Sequence, residues 1–165
     1  MPPFRKILVP VDGSSTANKA LDYALQLAQE GHSQVRALHA IDELAYLSSY
    51  EYSGELLASA RQQGTQILQN AVVAAQAKNV PADTRLVDQP GQRLGQTVAD
   101  EAALWGADLI VVGTHGRRGV GRVLLGSGAE QISRTAPVPV LIIPAQSALR
   151  TPQPEAGQHA VAAGG

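Results

Sequence analysis

An alternation of two kinds of segment most constrains what this chain can become. Short β-branched runs span Lys6 to Val11, Gln34 to Ile41, Thr84 to Val87, Asp108 to Val112 and Val138 to Ile143. The first, fourth and fifth are nearly all apolar, as strands covered on both faces are, which points to a parallel sheet. Between the runs, apolar residues recur at helical spacing. Ala17, Ala20, Leu21, Ala24, Leu25 and Ala28 mark one helix, with Ser14, Ser15 or Thr16 able to cap its start and Gly31 near its end. Leu57, Ala60, Gly64, Ile67, Leu68, Ala71, Val72 and Ala75 mark a longer one, ended by Asn79 and Pro81. Leu94, Val98, Ala102 and Trp105 mark a third, and Ala129, Ile132 and Ser133 a short fourth that stops before Pro137. Strands alternating with helices imply right-handed crossovers and a doubly wound α/β sheet. Ligands in such sheets bind beyond the carboxyl ends of the strands, where strand order reverses. The places to look are therefore after Val11, after Ala40 and after Val112.

The length of 165 residues suits one domain, expected over residues 1–145, which can bury a core without disulfides or metals. Residues 146–165, rich in Ala, Gln, Pro and Gly, are expected to form a disordered tail. Asp42 to Gly54 has no clear period and reads equally as a lid or as a poor helix start. There is no cysteine, which excludes thiol chemistry and cysteine metal sites. A net charge of -1 argues against general nucleic-acid binding. No apolar run approaches the length of a membrane span, and Pro10 and Asp12 cut the first one far short of a signal core. A cytoplasmic location with neither nucleic acid nor membrane as partner is the expectation.

The segment Gly113 to Gly128 begins where an apolar strand ends and finishes where a helix begins. Glycines let backbone amides approach an anion, and a helix N-terminus adds free N–H groups and a positive dipole end. Arg117, Arg118 and Arg122 add charge in the same stretch. The stretch has no lysine, so it is not a Walker loop, and the turn after the first strand, Asp12-Gly13-Ser14, is not the dinucleotide fingerprint. The alternative is a structural loop: Ser127 with Glu130 matches a capping box, so the serine can serve its helix alone.

The spacing of this stretch, a glycine, two residues, a glycine, nine residues, then glycine and serine, resembles the nucleotide signature of the universal stress protein family. Gly113, Gly116, Gly126 and Ser127 fit it without a gap. Ile7 to Ser14, Leu38 to Asp42 and Pro137 to Ile143 resemble that family's first, second and last strands, so the likeness covers roughly residues 4–144. The resemblance implies a five-stranded parallel sheet with helices on both faces and a bound ATP or AMP. It assigns Gly113, Gly116, Gly126 and Ser127 to the phosphates and ribose, with His115 and Arg117 lining the pocket. Asp12 meets the ribose or a hydrated Mg²⁺, Ala40 offers backbone to the adenine edge, and Pro10 and Val11 wall the base. The alternative for Asp12 is an ordinary turn residue or helix cap, but its place at the end of a central strand favours the site. His39 is expected to be a packed strand residue, Trp105 core and His32 surface. The resemblance further implies a homodimer through Val138 to Ile143.

No carboxylate besides Asp12 stands obviously near the loop to activate water, and Ser127 lies in Gly-Ser-Gly rather than a nucleophile elbow. A nucleotide-dependent sensor or switch acting through an unidentified regulatory partner is the expected function. The alternatives are a slow ATPase or phosphotransferase, and a dimeric stress protein that works without nucleotide.

Overall fold

The structure is a computed structural model that describes residues 4–42, 45–47, 54–114 and 125–145. Its elements in chain order are β1 (Lys6–Pro10), α1 (Ser15–Gly31), β2 (Gln34–Ala40), α2 (Glu55–Ala77), β3 (Ala82–Val87), α3 (Leu94–Trp105), β4 (Leu109–Gly113), α4 (Ser127–Thr135) and β5 (Val140–Ile143). The five strands form one parallel sheet, as expected, and their order is β3-β2-β1-β4-β5. The chain steps outward from β1 to β3, returns beneath α3, and steps outward the other way through β4 and β5. Strand order therefore reverses between β1 and β4.

Alternation within the strands divides the core into two layers. Ile7, Val9, Val35, Ala37, Leu109 and Val111 pack against α1 and α2, through Ala20, Leu21, Leu25, Leu68 and Ala71. Leu8, Leu38, Ile110 and Val112 pack on the opposite face against Val98 and Ala102 of α3 and Ala129 and Ile132 of α4. At α1, Ser14 is the cap: its Oγ accepts from the Ala17 N–H at 3.2 Å. In α2 the helical spacing holds, but only its middle and end are buried, at Gly64, Leu68, Ala71 and Ala75. Leu57 and Ala60 are half-buried.

Three local readings change. β3 starts at Ala82 rather than Thr84, because its pairing to β2 begins at Val35 and Ala82. It is an edge strand whose polar Asp83 and Arg85 carry no apolar signal. β5 starts at Val140, because Pro137 and Pro139 have no N–H to donate to a ladder. Trp105 is a half-buried platform at the sheet's amino-terminal end. The Arg36 guanidinium lies 4.6 Å from its ring centroid, and Lys6 Nζ donates to its carbonyl at 2.9 Å. Arg36 also binds Asp83 with two hydrogen bonds of 2.7 Å and reaches the buried Glu101 at 2.8 Å. Hydrogen bonding to Asp83 holds the Arg36 pKa above its ordinary value.

Candidate functional site

The reversal between β1 and β4 leaves a crevice, and a cavity of about 750 Å³ occupies it. That volume lies within the roughly 300–1,000 Å³ of small-molecule sites. Pro10, Val11 and Asp12 line it from the end of β1, Ala40 to Asp42 from the end of β2, and Val112 and Gly113 from the end of β4. Three helix N-termini face it: Ser14, Thr16 and Ala17 from α1, Arg93 and Leu94 from α3, and Ser127 and Gly128 from α4. The walls thus combine an apolar strand side with a side rich in backbone N–H groups.

Backbone hydrogen bonds fix the strand side. The Val11 N–H donates to the Leu38 carbonyl at 2.8 Å, and the Ile41 N–H to the Val87 carbonyl at 3.0 Å. His39 Nδ1 pairs with the Val11 carbonyl at 2.7 Å. A carbonyl only accepts, so Nδ1 carries the proton. Asp12 forms the turn that leads into α1: its Oδ1 accepts from the Ser14 N–H at 2.9 Å, with Gly13 at φ 81°. Asp12 is therefore a turn residue and a cleft residue at once.

The anion side is built by close packing. A Cβ on Gly113 would collide with the carbonyl of Thr16, so glycine there lets the start of α1 rest directly on β4. α4 begins at Ser127, with Gly126 as its cap at φ -61° and ψ 154°, and a glycine cap has no side chain to offer the helix's first N–H groups. The capping-box reading of Ser127 is therefore not realised. Glu130 pairs instead with Arg134 at 2.7 Å. Amides at the first turn of a helix suit an anionic acceptor.

Of the residues expected at the site, Pro10, Val11, Asp12, Ala40, Gly113 and Ser127 line one cleft. Gly126 stands beside it as the helix cap. His115, Gly116 and Arg117 lie outside the described residues. Gln63, Ile67, Gln92, Arg93, Gln131 and His39 also line the cleft and were not among the residues expected there. Ala60, Gln63 and Ile67 share one face of α2 by helical spacing, which is a usable signal once α2 is known to cross the crevice. Nothing in the sequence marks Gln92 or Arg93, because only the crossover from β3 brings them there.

The segment after β2 is anchored beside the cleft. Tyr46 is 8% exposed, and its hydroxyl donates to Asp88 at 2.5 Å, while Arg61 Nε donates to the other carboxylate oxygen at 2.5 Å. Burial and then the bond to Asp88 push the Tyr46 pKa up to about 12. The same hydroxyl, followed by Arg61, holds the Asp88 carboxyl below the usual carboxylate range. This triad ties the segment after β2 to α2 and to the loop after β3.

An open parallel sheet with helices on both faces, and a cleft at the strand-order reversal, defines a doubly wound α/β domain with a ligand-binding crevice. The chain belongs to the universal stress protein family, whose model matches residues 3–144. It is 30% identical over 145 residues to universal stress protein MJ0531 of Methanocaldococcus jannaschii, covering 85% of this chain and 82% of that one. It is 32% identical over 150 residues to universal stress protein YxiE of Bacillus subtilis, covering 85% and 99%. A crystal structure of a family member from Burkholderia pseudomallei superposes with a TM-score of 0.68 at 33% identity, covering 85% and 96%. The same fold, at 23%, 20% and 18% identity, occurs in universal stress protein structures described with cAMP, with dAMP (Archaeoglobus fulgidus) and with AMP (Arabidopsis thaliana). Their TM-scores are 0.61, 0.62 and 0.62 and they cover 85%, 87% and 87% of this chain. Among the described residues, no helix is long and apolar enough to cross a membrane, and no three metal-ligating side chains cluster.

Proposed function

We propose that the cleft binds an adenine nucleotide, ATP or AMP, and that the protein works as a nucleotide-dependent switch in a stress response. The observation that carries this reading is the first turn of α4. Its cap is Gly126, which has no side chain to bond the first N–H groups, and Ser127 and Gly128 line a cleft whose other wall is Pro10, Val11 and Ala40. Phosphate suits the first wall, through free N–H groups and the helix dipole. A flat apolar base suits the second. The family members described with AMP, dAMP and cAMP support the choice of adenine.

In this reading Asp12 faces the ribose or holds Mg²⁺ through water, the ion arriving with the phosphates. The described carboxylates of the cleft, Asp12 and Asp42, are too few to cage it alone. His115, Gly116 and Arg117 complete the phosphate side. Binding rather than turnover is favoured, because the described cleft offers no evident base placed to activate water at the phosphate end. The working unit is a homodimer joined at Val138 to Ile143. β5 pairs only with β4 in the sheet, and Leu141 on it is 38% exposed.

Calorimetric titration of the purified protein with MgATP and with AMP tests the reading. Saturable binding that Gly116→Val weakens sharply is the expected result. The absence of heat for both ligands in the unaltered protein would sink it.

A further inference from the structure

We infer that Arg93, at the start of α3, is a phosphate-binding residue of the cleft that reads the length of the nucleotide's phosphate chain; this rests on the nucleotide reading above. Among the described residues that line the cleft, Arg93 is the sole cation, beside the carboxylates Asp12 and Asp42. Four other described arginines are committed to carboxylates: Arg36 to Asp83 and Glu101, Arg61 to Asp88, Arg85 to Glu101, Arg134 to Glu130; Arg5 does not line the cleft. Arg93 makes no ion pair among the described residues, and it is exposed at the cleft's rim.

Its place in the fold assigns it to the phosphate end rather than the base end. The neighbouring Leu94 side chain packs on the first turn of α4, 3.2 Å from where a Cβ on Gly128 would stand. One residue further, Gly95 lies so close to α4 that a Cβ would meet the Gln131 carbonyl at 2.8 Å. The starts of α3 and α4 are thus clamped together, and Arg93, the residue before Leu94, lines the same cleft as Ser127 and Gly128. The backbone beneath it is held by hydrogen bonds. The Arg93 carbonyl accepts from the Thr97 N–H at 3.1 Å and from its hydroxyl at 3.3 Å. Gln92 and Gln96 hold the preceding turn by donating to Asp100 at 2.7 and 2.6 Å. A planar guanidinium with unused donors, fixed at its root and free at its tip, is suited to phosphate oxygens.

The test is affinity for adenosine, AMP, ADP and ATP in the unaltered protein, Arg93→Gln and Arg93→Lys. Losing a charge-assisted contact should cost Arg93→Gln about tenfold in ATP affinity, less in AMP and nothing in adenosine. Arg93→Lys should recover part of the loss. Thermal melts of all three proteins should coincide, since the side chain has no described partner to lose. Equal affinities across the series in the unaltered protein and Arg93→Gln would overturn the inference while leaving the nucleotide reading intact. So would an equal loss for adenosine and ATP. An unaltered protein that binds none of the four ligands would overturn the nucleotide reading and, with it, this one.

Discussion

The Tyr46 hydroxyl and the Asp88 carboxylate meet at 2.5 Å, and with Arg61 on the other carboxylate oxygen they join three separate pieces of chain beside the cleft. Tyr46 belongs to the segment that follows β2. Asp88 opens the loop that leads to Arg93, and Arg61 stands on α2. A single carboxylate therefore links all three.

Tyr46→Phe should cost about 1–2 kcal/mol at neutral pH, the usual effect of removing a buried partner from a charged acceptor. The pH dependence has a definite sign. The Asp88 pKa is lowered in the folded state, so its contribution is complete above the ordinary carboxylate value near 3.9 and is lost as pH falls through the folded value. Tyr46 is raised to about 12, so its contribution is complete below about 10 and is lost as pH rises from about 10 to 12. Urea melts of both proteins at pH 3, 7 and 11 should show the largest gap at pH 7.

Arg36 and Glu101 give a second test, remote from the cleft. Glu101 is 6% exposed and meets Arg36 at 2.8 Å, with Arg85 more distant at 3.5 Å. Arg36→Ala leaves a buried carboxylate with only the longer Arg85 contact and should destabilise by about 3 kcal/mol. Pairing it with Glu101→Leu should restore much of that, because the charge that needed a partner is gone. Equal losses in the single and the double variant would show that Arg36 acts by covering Trp105 rather than by neutralising Glu101.

How much of this was legible in the sequence follows from range. Ile7 to Val9 and Leu109 to Val112 announced central parallel strands because burial on both faces removes polar residues from the sequence itself. Ser14 announced the start of α1 because its bond to Ala17 is local. β3 was half hidden, since an edge strand tolerates Asp83 and Arg85. Asp88 and Tyr46 lie 42 residues apart, and no local pattern predicts their meeting. Arg93 was missed for the same reason: its role comes from α3 packing on α4. Ser127 was ambiguous because a capping box and a ligand-binding serine share one pattern; the cap at Gly126 removes the capping-box reading.

The proposed dimer should respond to one exposed side chain on β5. Leu141→Asp places a charge on the edge strand's apolar surface, where a partner copy would have to desolvate it. Sedimentation equilibrium should then report a monomer, while the far-ultraviolet dichroism and the affinity for ATP stay as in the unaltered protein. An unchanged sedimentation mass would remove β5 from the interface.

Gly113 and Gly91 separate two reasons for glycine. Gly91 adopts φ 78° with nothing within 4 Å of a would-be Cβ, so Gly91→Ala meets only backbone strain, about 1–2 kcal/mol, and should spare ligand affinity. Gly113 has no such φ, but a Cβ there would stand 2.7 Å from the Thr16 carbonyl carbon. Gly113→Ala must push the start of α1 away from β4, an overpacking cost of about 1–3 kcal/mol. The same displacement moves Ser14 and Thr16, which line the cleft. Nucleotide affinity should therefore fall in Gly113→Ala and hold in Gly91→Ala, even when both are assayed well below their melting temperatures. Matching affinities in the two variants would mean that the glycine of β4 serves packing alone and that the cleft tolerates a shift of α1.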